Sequence, residues 1–349
     1  MRYLTKTIAG KKVSEVSFGT IPLLSGNIRT LPHYRSPSVS EAVRLLEKAA
    51  AAGITLFDSA VVPEYGDAEL KLGEAFRGYS EVVISSKARA YTCDAMSSAL
   101  DRSCKNLKAD CIDIYGIHQV APENANLAFN LNNGALRTLL EAKASGRIKA
   151  IGLGTHHVSV IRTALASGYF DLIQIPHNLL ENGMCEVLAR DLISPCLIAA
   201  NKVLACGILL SYAKLADLLG YSLQPPIDTA IIGIGTEHEL ETLLGAYEAG
   251  WSRQNAIAIQ EALLCVAQCN RCQACSCHRG IDISKILRYR SYMLLGQQRW
   301  VRERFETSDA SALGECDFCR ECVGGCPRKI PIPDLLHEFA SLMAECSPG

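Results

Sequence analysis

The run Ile112-Asp113-Ile114-Tyr115, a helical pattern over residues 135–145, Ala150-Ile151-Gly152-Leu153, a second helical pattern over 158–167, and Leu172-Ile173-Gln174-Ile175 together decide the architecture. Short apolar segments alternate with amphipathic ones, and continuous apolar runs without polar alternation mark strands buried on both faces. The alternation extends both ways. Upstream lie Val16-Ser17-Phe18-Gly19, a helix over 41–52 with Val43, Leu46 and Ala50 on one face, and Ile54-Thr55-Leu56-Phe57. A helix over 68–76, Val82-Val83-Ile84, and a helix over 95–107 with Leu100, Cys104 and Leu107 aligned complete that half. Downstream come weaker signals: a helix near 184–190, Leu197-Ile198-Ala199 and a helix near 212–220. Thr229-Ala230-Ile231-Ile232 is the last strand, and its helix carries Leu240, Leu243, Leu244 and Tyr247 on one face. Residues 5–14 read as a hairpin ahead of the first strand.

Eight apolar strands, each trailed by a helix within about 250 residues, predict an α/β fold, a closed (β/α)8 TIM barrel. A doubly wound open sheet is the competitor. It is weakened because the first βα turn, Gly19-Thr20-Ile21-Pro22, lacks a G-x-G-x-x-G fingerprint. The expected division is a barrel over 1–250, a connecting helix over 251–264, and a small cysteine-rich helical domain over 265–349.

Bulk properties limit the function. With 35 basic and 36 acidic residues the net charge is -1, so no global field draws nucleic acid or an anionic membrane. A mean hydropathy of +0.13 indicates a substantial core. No run reaches the roughly eighteen apolar residues of a membrane span. Sixteen cysteines without an export signal suggest metal ligation in a reducing cytoplasm rather than disulfides.

Cys316-Asp-Phe-Cys319-Arg-Glu-Cys322-Val-Gly-Gly-Cys326-Pro327 is an unbroken C-x2-C-x2-C-x3-C-P motif. Three closely spaced thiolates wrap one iron–sulfur cluster while the fourth reaches a second. Zinc is the alternative, although it usually takes its ligands as two separated pairs. A related group is Cys269-Asn-Arg-Cys272-Gln-Ala-Cys275-Ser-Cys277-His278, whose fourth cysteine follows after one residue. Ferredoxin logic assigns Cys269, Cys272, Cys275 and Cys326 to one [4Fe–4S] cluster, and Cys316, Cys319, Cys322 and Cys277 to another. Without Cys277 only one cluster is expected. Cys93, Cys104, Cys111, Cys185, Cys196 and Cys206 sit in apolar patterns and read as buried packing residues. Arg288, Arg290, Arg299, Arg302 and Arg304 suggest either a docking face for an acidic redox protein or a solvated helix face.

In a barrel of this kind chemistry sits where strands end. Those positions hold Asp58, Lys87 and His118, with Tyr65 shortly after Asp58. Singly, each has a structural reading as a turn cap, a snorkelling lysine or a satisfied rim histidine. Together they make a proton donor for a carbonyl oxygen. A phenol is a weak acid, a nearby ammonium lowers its pKa, and a carboxylate holds the ammonium in place.

Phe57-Asp58-Ser59-Ala60, Tyr65-Gly66-Asp67-Ala68-Glu69, Ser85-Ser86-Lys87, Asp113-Ile114-Tyr115-Gly116-Ile117-His118 and Gly146-Arg147-Ile148-Lys149-Ala150-Ile151-Gly152 resemble aldo-keto reductase signatures. The resemblance runs from the opening hairpin to about residue 250. It implies a catalytic tetrad of Asp58, Tyr65, Lys87 and His118, with Tyr65 as general acid and a nicotinamide as hydride source. Nicotinamide contacts would fall on Thr155, His156 and Gln174, with Asn178 nearby. The Asp58-to-Tyr65 step of seven residues is longer than usual, with the extra length in Val61-Val62-Pro63-Glu64. In Gly233-Ile234-Gly235-Thr236-Glu237-His238-Glu239 the family's basic clamp for a 2′-phosphate is missing, and Thr236 with Glu239 forms a capping box. Gly233 and Gly235 still offer backbone N–H groups to a phosphate. The C-terminal part is similar to the subgroup with a fused ferredoxin-like domain, through Gly280-Ile281-Asp282-Ile283 and Ile330-Pro331-Ile332-Pro333.

The expected function is therefore an oxidoreductase reducing a carbonyl or related small molecule with NAD(P)H, ferredoxin-type electrons, or both. A non-catalytic electron-relay subunit of a larger redox complex is the alternative. Substrate selection is expected to rest on loops such as residues 27–34.

Overall fold

A computed structural model describes residues 1–26, 36–78, 81–185, 188, 196–305 and 307–345. Strands β1 (Tyr3–Ile8) and β2 (Lys11–Ser14) pair antiparallel as the expected hairpin. The barrel follows in sequence order: β3 (Val16–Gly19), β4 (Leu56–Asp58), β5 (Val83–Ala88), β6 (Ile112–Val120), β7 (Ile148–Thr155), β8 (Leu172–Pro176), β9 (Leu197–Asn201) and β10 (Thr229–Gly233). Every neighbouring pair is parallel, and β10 returns to pair with β3, closing the ring.

The closed ring explains the unalternated strand sequences, because each strand is covered on both faces. Inside, Leu56, Val83, Ile114, Ala150, Leu172 and Leu197 form one apolar layer, and Ile8 and Val13 of the hairpin join it as a floor. Outside, Phe18, Phe57, Ile112 and Ile151 meet Leu45, Leu46, Leu72, Leu100 and Leu139 of the surrounding helices. One short helix, Pro122–Ala128, has no signature in the periodicity. Pro122 opens it, and the Asn124 side chain accepts the Ala121 N–H at 2.9 Å. The helix expected near 184–190 lies largely outside the described residues, as does the loop 27–34.

Beyond β10 the described chain is helical, with no further strand. Its main helices are Glu237–Ala249, Arg253–Leu263, Ile283–Leu294, Gln298–Arg302 and Ile332–Glu345. Tyr289, Tyr292, Val301 and Phe339 of this region share one apolar core with Leu179, Leu180, Ile208 and Leu209 of the barrel's β8 and β9 loops. The cysteine-rich region is therefore built onto the C-terminal mouth of the barrel.

That placement corrects two expectations. The arginines do not share a solvated face, because helix Ile283–Leu294 is covered on both sides. Arg290 is buried, pairs with Glu338 at 2.7 Å and donates to the Val266 carbonyl, while Arg299 and Arg302 face solvent. Nor are the six cysteines read as packing residues uniformly buried. Cys185 and Cys196 are, Cys93, Cys104 and Cys111 are half-buried, and Cys206 is exposed in a left-handed turn at φ 59°. No described helix is long and apolar enough to cross a membrane.

Gly116 faces Gly152 across β6 and β7, where a Cβ on Gly116 would lie 2.5 Å from the Gly152 carbonyl oxygen. Gly116→Ala must part the two strands and is expected to cost about 3 kcal/mol or more, read as a lower denaturant midpoint. Gly245→Ala, in open space on helix Glu237–Ala249, should instead be neutral or gain up to about 1 kcal/mol.

Candidate functional site

Parallel closure brings the ends of β4, β5 and β6 side by side, with Asp58 opposite Ser85 and Lys87 opposite Gly116. The Lys87 ammonium donates to Asp58 Oδ2 at 2.6 Å and to the Ser59 carbonyl at 2.9 Å. Asp58 Oδ1 accepts from Ser85 Oγ at 2.9 Å and from Gln174 Nε2 at 2.6 Å. Asp58 and Lys87 are 3% and 4% exposed, so neither charge is tenable without the other.

A short 3-10 turn, Pro63–Tyr65, takes up the extra residues after β4 and returns Tyr65 to the rim. Its ring stands edge-on to His118, with centroids 6.3 Å apart at 86°, and the Lys87 ammonium lies 5.7 Å from its centroid. Burial, then the charges of Asp58 and Glu64, push the Tyr65 phenol well above its ordinary pKa. The net shift is therefore upward rather than downward: burial and the two carboxylates outweigh what Lys87 contributes, its ammonium being bonded to Asp58. Burial, then the charges of Lys87, Arg89 and Lys202, press His118 down to about 2, so its imidazole is neutral. Its Nδ1 is buried without a hydrogen-bond partner among the described residues. A protonated phenol and a neutral imidazole facing each other can both address one carbonyl oxygen.

The positions implied for nicotinamide contacts also reach this rim, but each is engaged by protein. Thr155 Oγ1 donates to the Val120 carbonyl at 2.6 Å, and Gln174 is held by Asp58. Asn178 Nδ2 donates to the Lys202 carbonyl at 2.9 Å, while its Oδ1 accepts from the Leu180 and Glu181 amides. The His156 carbonyl accepts from Gln273 Nε2 at 2.7 Å, and burial followed by the charge of Lys202 keeps its ring neutral. At the phosphate end the Glu239 carboxylate accepts the Gly235 N–H at 2.7 Å and the Thr236 N–H at 3.2 Å. Glu237 is paired with Arg44 at 2.7 Å and Lys48 at 3.0 Å. The Gly235 donor that was expected to be free for a phosphate is occupied by a carboxylate of its own chain. This arrangement does not fit a dinucleotide phosphate.

The cysteines fall into two groups. Burial first, then the charges of Cys269, Cys326 and Cys272, push the Cys275 thiol up to about 12. Cys269 is raised to about 11 by burial and by Cys272 and Cys326. Separately, Cys322 is raised by burial and by Cys319 and Cys277, and Cys277, Cys316, Cys319 and Cys322 line one cavity.

The two motifs share a backbone fold. Arg271 and Phe318, each two residues after the first cysteine, have φ of 62° and 57°. Gln273 and Arg320, each directly after the second, have φ of 58° and 64°. After the fourth cysteine the Gly280 N–H bonds the Cys277 carbonyl, and the Lys329 N–H bonds the Cys326 carbonyl, both at 3.1 Å. Helices then begin at Ile283 and Ile332 and pack on each other. The region is an internally duplicated loop-and-helix unit in which Cys277 and Cys326 are equivalent, despite their unequal spacing. The sequence pairs these two as the fourth cysteines of their motifs, and the matching turns supply the geometry that the unequal spacing leaves open.

Sequence reasoning also missed the residues that dock the first motif. Arg271 pairs with Glu181 at 2.6 Å, both fully buried, and Tyr292 donates to the same carboxylate at 3.3 Å. Gln273 bridges the His156 carbonyl and the Val158 N–H after β7. The Gly183 N–H bonds the Asn270 carbonyl at 2.7 Å, and a Cβ on Gly183 would lie 2.4 Å from the Cys272 nitrogen. The first motif touches the rim, whereas Cys319 of the second is exposed.

Residues 16–217 match the Aldo/keto reductase family. The chain belongs to this family. It is 28% identical over 175 residues to the Schizosaccharomyces pombe aldo-keto reductase yakc [NADP(+)], covering 46% of this chain and 50% of the relative. It is 24% identical over 199 residues to the Bacillus subtilis aldo-keto reductase YhdN, covering 53% and 56%. The chain thus spans about half the length of these curated relatives. A Pseudomonas aeruginosa structure described as an aldo-keto reductase superposes with a TM-score of 0.56 at 26% identity, covering 70% of this chain and 96% of that one. The holo form of a Bacillus halodurans aldo-keto reductase gives a TM-score of 0.60 at 17% identity, over 75% and 96%, and so shares the fold. The aldo-keto reductase match ends ahead of the first cysteine motif.

Lys87→Met leaves the Asp58 carboxylate buried without its counter-charge and is expected to destabilise the barrel by about 3 kcal/mol or more. Adding Asp58→Asn should restore most of that loss. Denaturant titration of the single and double variants reads the difference.

Proposed function

We propose that this chain is an oxidoreductase of the aldo-keto reductase type that reduces a carbonyl or a related small molecule at the barrel rim. In this reading the C-terminal region is a ferredoxin-like domain holding two [4Fe–4S] clusters. The observation that carries the proposal is the duplicated cysteine loop, fastened by its first copy to the rim that holds Asp58, Lys87, Tyr65 and His118. Cys269, Cys272, Cys275 and Cys326 would hold one cluster, and Cys277, Cys316, Cys319 and Cys322 the other. When bound, such clusters supply electrons singly.

The donor set favours clusters over zinc. Among the described residues, the one set of three ligand atoms gathered within 4.8 Å is His278, Cys319 and Glu321. The two cysteine quartets are spread more widely than the roughly 4 Å between sulfurs around a single tetrahedral zinc. The left-handed residues Arg271, Gln273, Phe318 and Arg320 are of the kind found in anion-binding backbone nests, which would suit anionic cluster sulfurs.

Reduction of a carbonyl to an alcohol takes two electrons, which a reduced ferredoxin would deliver one at a time through the clusters. It also takes two protons, one given by Tyr65 to the oxygen and one taken from solvent at the carbon. Tyr65 keeps its proton until negative charge develops on the bound oxygen, and neutral His118 orients that oxygen. The Lys87–Asp58 pair holds a fixed positive charge beside the phenol. An intact acid site argues against a purely relaying subunit. The exposed second motif suits a ferredoxin or another one-electron redox protein as donor, and the cysteine content suits a reducing cytoplasm.

A nicotinamide-dependent reading is the second. The NADP(+) in the name of the S. pombe relative favours it, and Thr155, His156, Gln174 and Asn178 would make the contacts. The capping of Gly235 by Glu239 weighs against it.

Protein purified without oxygen should contain about eight irons and eight sulfides per chain, and Cys277→Ser about half of each. Stoichiometric zinc, or about four irons in the unaltered chain, defeats the two-cluster reading. Tyr65→Phe should abolish carbonyl reduction without changing iron content. NADPH titration followed through cluster absorbance tests the electron source: little or no bleaching is expected, with bleaching by a reduced ferredoxin.

A further inference from the structure

The loop after β9 is wound tightly at the barrel mouth. Lys202, Ala205, Cys206 and Gly207 have φ of 55°, 46°, 59° and 88°. Left-handed backbone costs about 1 kcal/mol or more at each non-glycine residue, so the surroundings hold this loop in shape. The Asn178 amide and the Ala205 N–H both bond the Lys202 carbonyl, at 2.9 and 2.8 Å. Lys202 is thereby fixed at the mouth, near Arg288 of helix Ile283–Leu294; Arg304 lies in the turn after helix Gln298–Arg302.

The charges gathered there do not balance. Glu181 is the acid facing them, and it is already bonded to Arg271 and Tyr292. Among the described residues neither the Lys202 ammonium nor the Arg288 guanidinium has an ion-pair partner, and Arg288 Nε is buried without a hydrogen bond. Arg288 lies 5.4 Å from the Tyr289 ring centroid, and Arg304 lies 4.4 Å from that of Trp300. Arg304 donates to the Trp300 carbonyl at 3.3 Å, and its ion-pair neighbour Glu303 is 3.9 Å away.

These cations address one shared space. The charges of Lys202 and Arg288 both act on His156, Glu181 and Cys206, and Lys202 also acts on His118. Lys202, Arg288 and Arg304 are only half-buried and Cys206 is exposed, so the space between them is open to solvent. Like charges held together and left unpaired are unfavourable unless an anion joins them. Lys202 follows β9 at the same end of the barrel as Tyr65 and His118, and its charge reaches His118.

We propose that Lys202 and Arg288, with Arg304 beside them, form an anion subsite, so that the molecule bound at the rim carries a carboxylate or phosphate group. The substrate class follows from the reading of the rim as a carbonyl-reducing site, whereas the anion subsite itself does not depend on it. The shared chemistry has two sources, a small carbonyl acid or a nucleotide phosphate, and the test separates them.

Intrinsic fluorescence is the readout, because Trp300 lies against Arg304. The intact protein is titrated with 2-oxoglutarate, inorganic pyrophosphate and ADP. Saturable quenching is expected, weakened at least tenfold by Lys202→Met and by Arg288→Met and partly retained in Arg288→Lys. Arg299→Met, on the solvent side of the same region, should leave it unchanged. Tighter binding of the oxoacid assigns the subsite to substrate, and tighter binding of ADP assigns it to a nucleotide phosphate. No saturable quenching, or equal weakening by Arg299→Met, overturns the subsite. In carbonyl reduction the two Met variants should raise KM for carbonyl acids about tenfold, leave kcat within about threefold, and spare the neutral esters. Anion binding without any carbonyl reduction leaves the subsite standing and removes the reductase reading. Reduction of acids and esters alike, unmoved by the variants, removes the subsite's role in substrate choice.

Discussion

A carboxylate and a guanidinium that both leave water must meet each other, and the buried Glu181–Arg271 pair is the contact that fixes the two parts of this molecule together. Burial alone works against the Glu181 charge, yet Arg271, Arg288 and Lys202 hold its pKa down to about 2. Arg271 lies between the first two cysteines of the first motif, so the position of that loop depends directly on the pair. The Gly183 contact and the Gln273 bridge then set its height and rotation on the barrel. Neither would hold if the charge pair were opened, because each depends on the close approach that the pair enforces.

The barrel's closure places eight strand ends around a common mouth, and the cysteine region takes over part of that mouth. The two facts constrain each other. A loop seated after β7 engages the His156 carbonyl and the Val158 N–H through Gln273. On the far side of the rim, Glu239 closes the Gly235 amide with a carboxylate from its own helix. The acid machinery is untouched by either change, since Asp58 and Lys87 lie deeper and are held by Ser85, Gln174 and the Ser59 carbonyl. On the proposed reading, the groups for proton chemistry stay in place while the surfaces beside them are given to other contacts.

Much of this was legible in the sequence, and the limits have physical causes. Strands buried on both faces write themselves as apolar runs, so the ring and the rim residues Asp58, Lys87 and His118 could be located by counting. Tyr65 was legible too, but its electrostatics were not, because the lysine that was expected to acidify it is bonded to Asp58 and Ser59. The Thr236–Glu239 capping box was readable as local chemistry, whereas its occupation of the Gly235 amide needed coordinates. Glu181, Gly183 and Gln273 left no local signal, since their roles arise from contacts across roughly ninety to a hundred and twenty residues. The arginines of helix Ile283–Leu294 misled for the same reason. A basic helix reads as solvated until something is found to cover it.

The state of Tyr65 carries the reasoning one step further. A phenol raised by burial and by two carboxylates is a poor acid when nothing is bound. Lys87 cannot relieve this through the ground state, because its ammonium is shared between Asp58 and a carbonyl. What changes the balance is negative charge growing on an oxygen held between Tyr65 and neutral His118, where the buried dielectric strengthens every nearby interaction. On the proposed reading the proton then moves toward charge that exists only during reduction, and the fixed Lys87 charge stabilises the phenolate left behind. A site of this kind resists losing its proton until the substrate is being reduced. That property is of use where electrons arrive one at a time, because a proton spent after the first electron would be missing for the second.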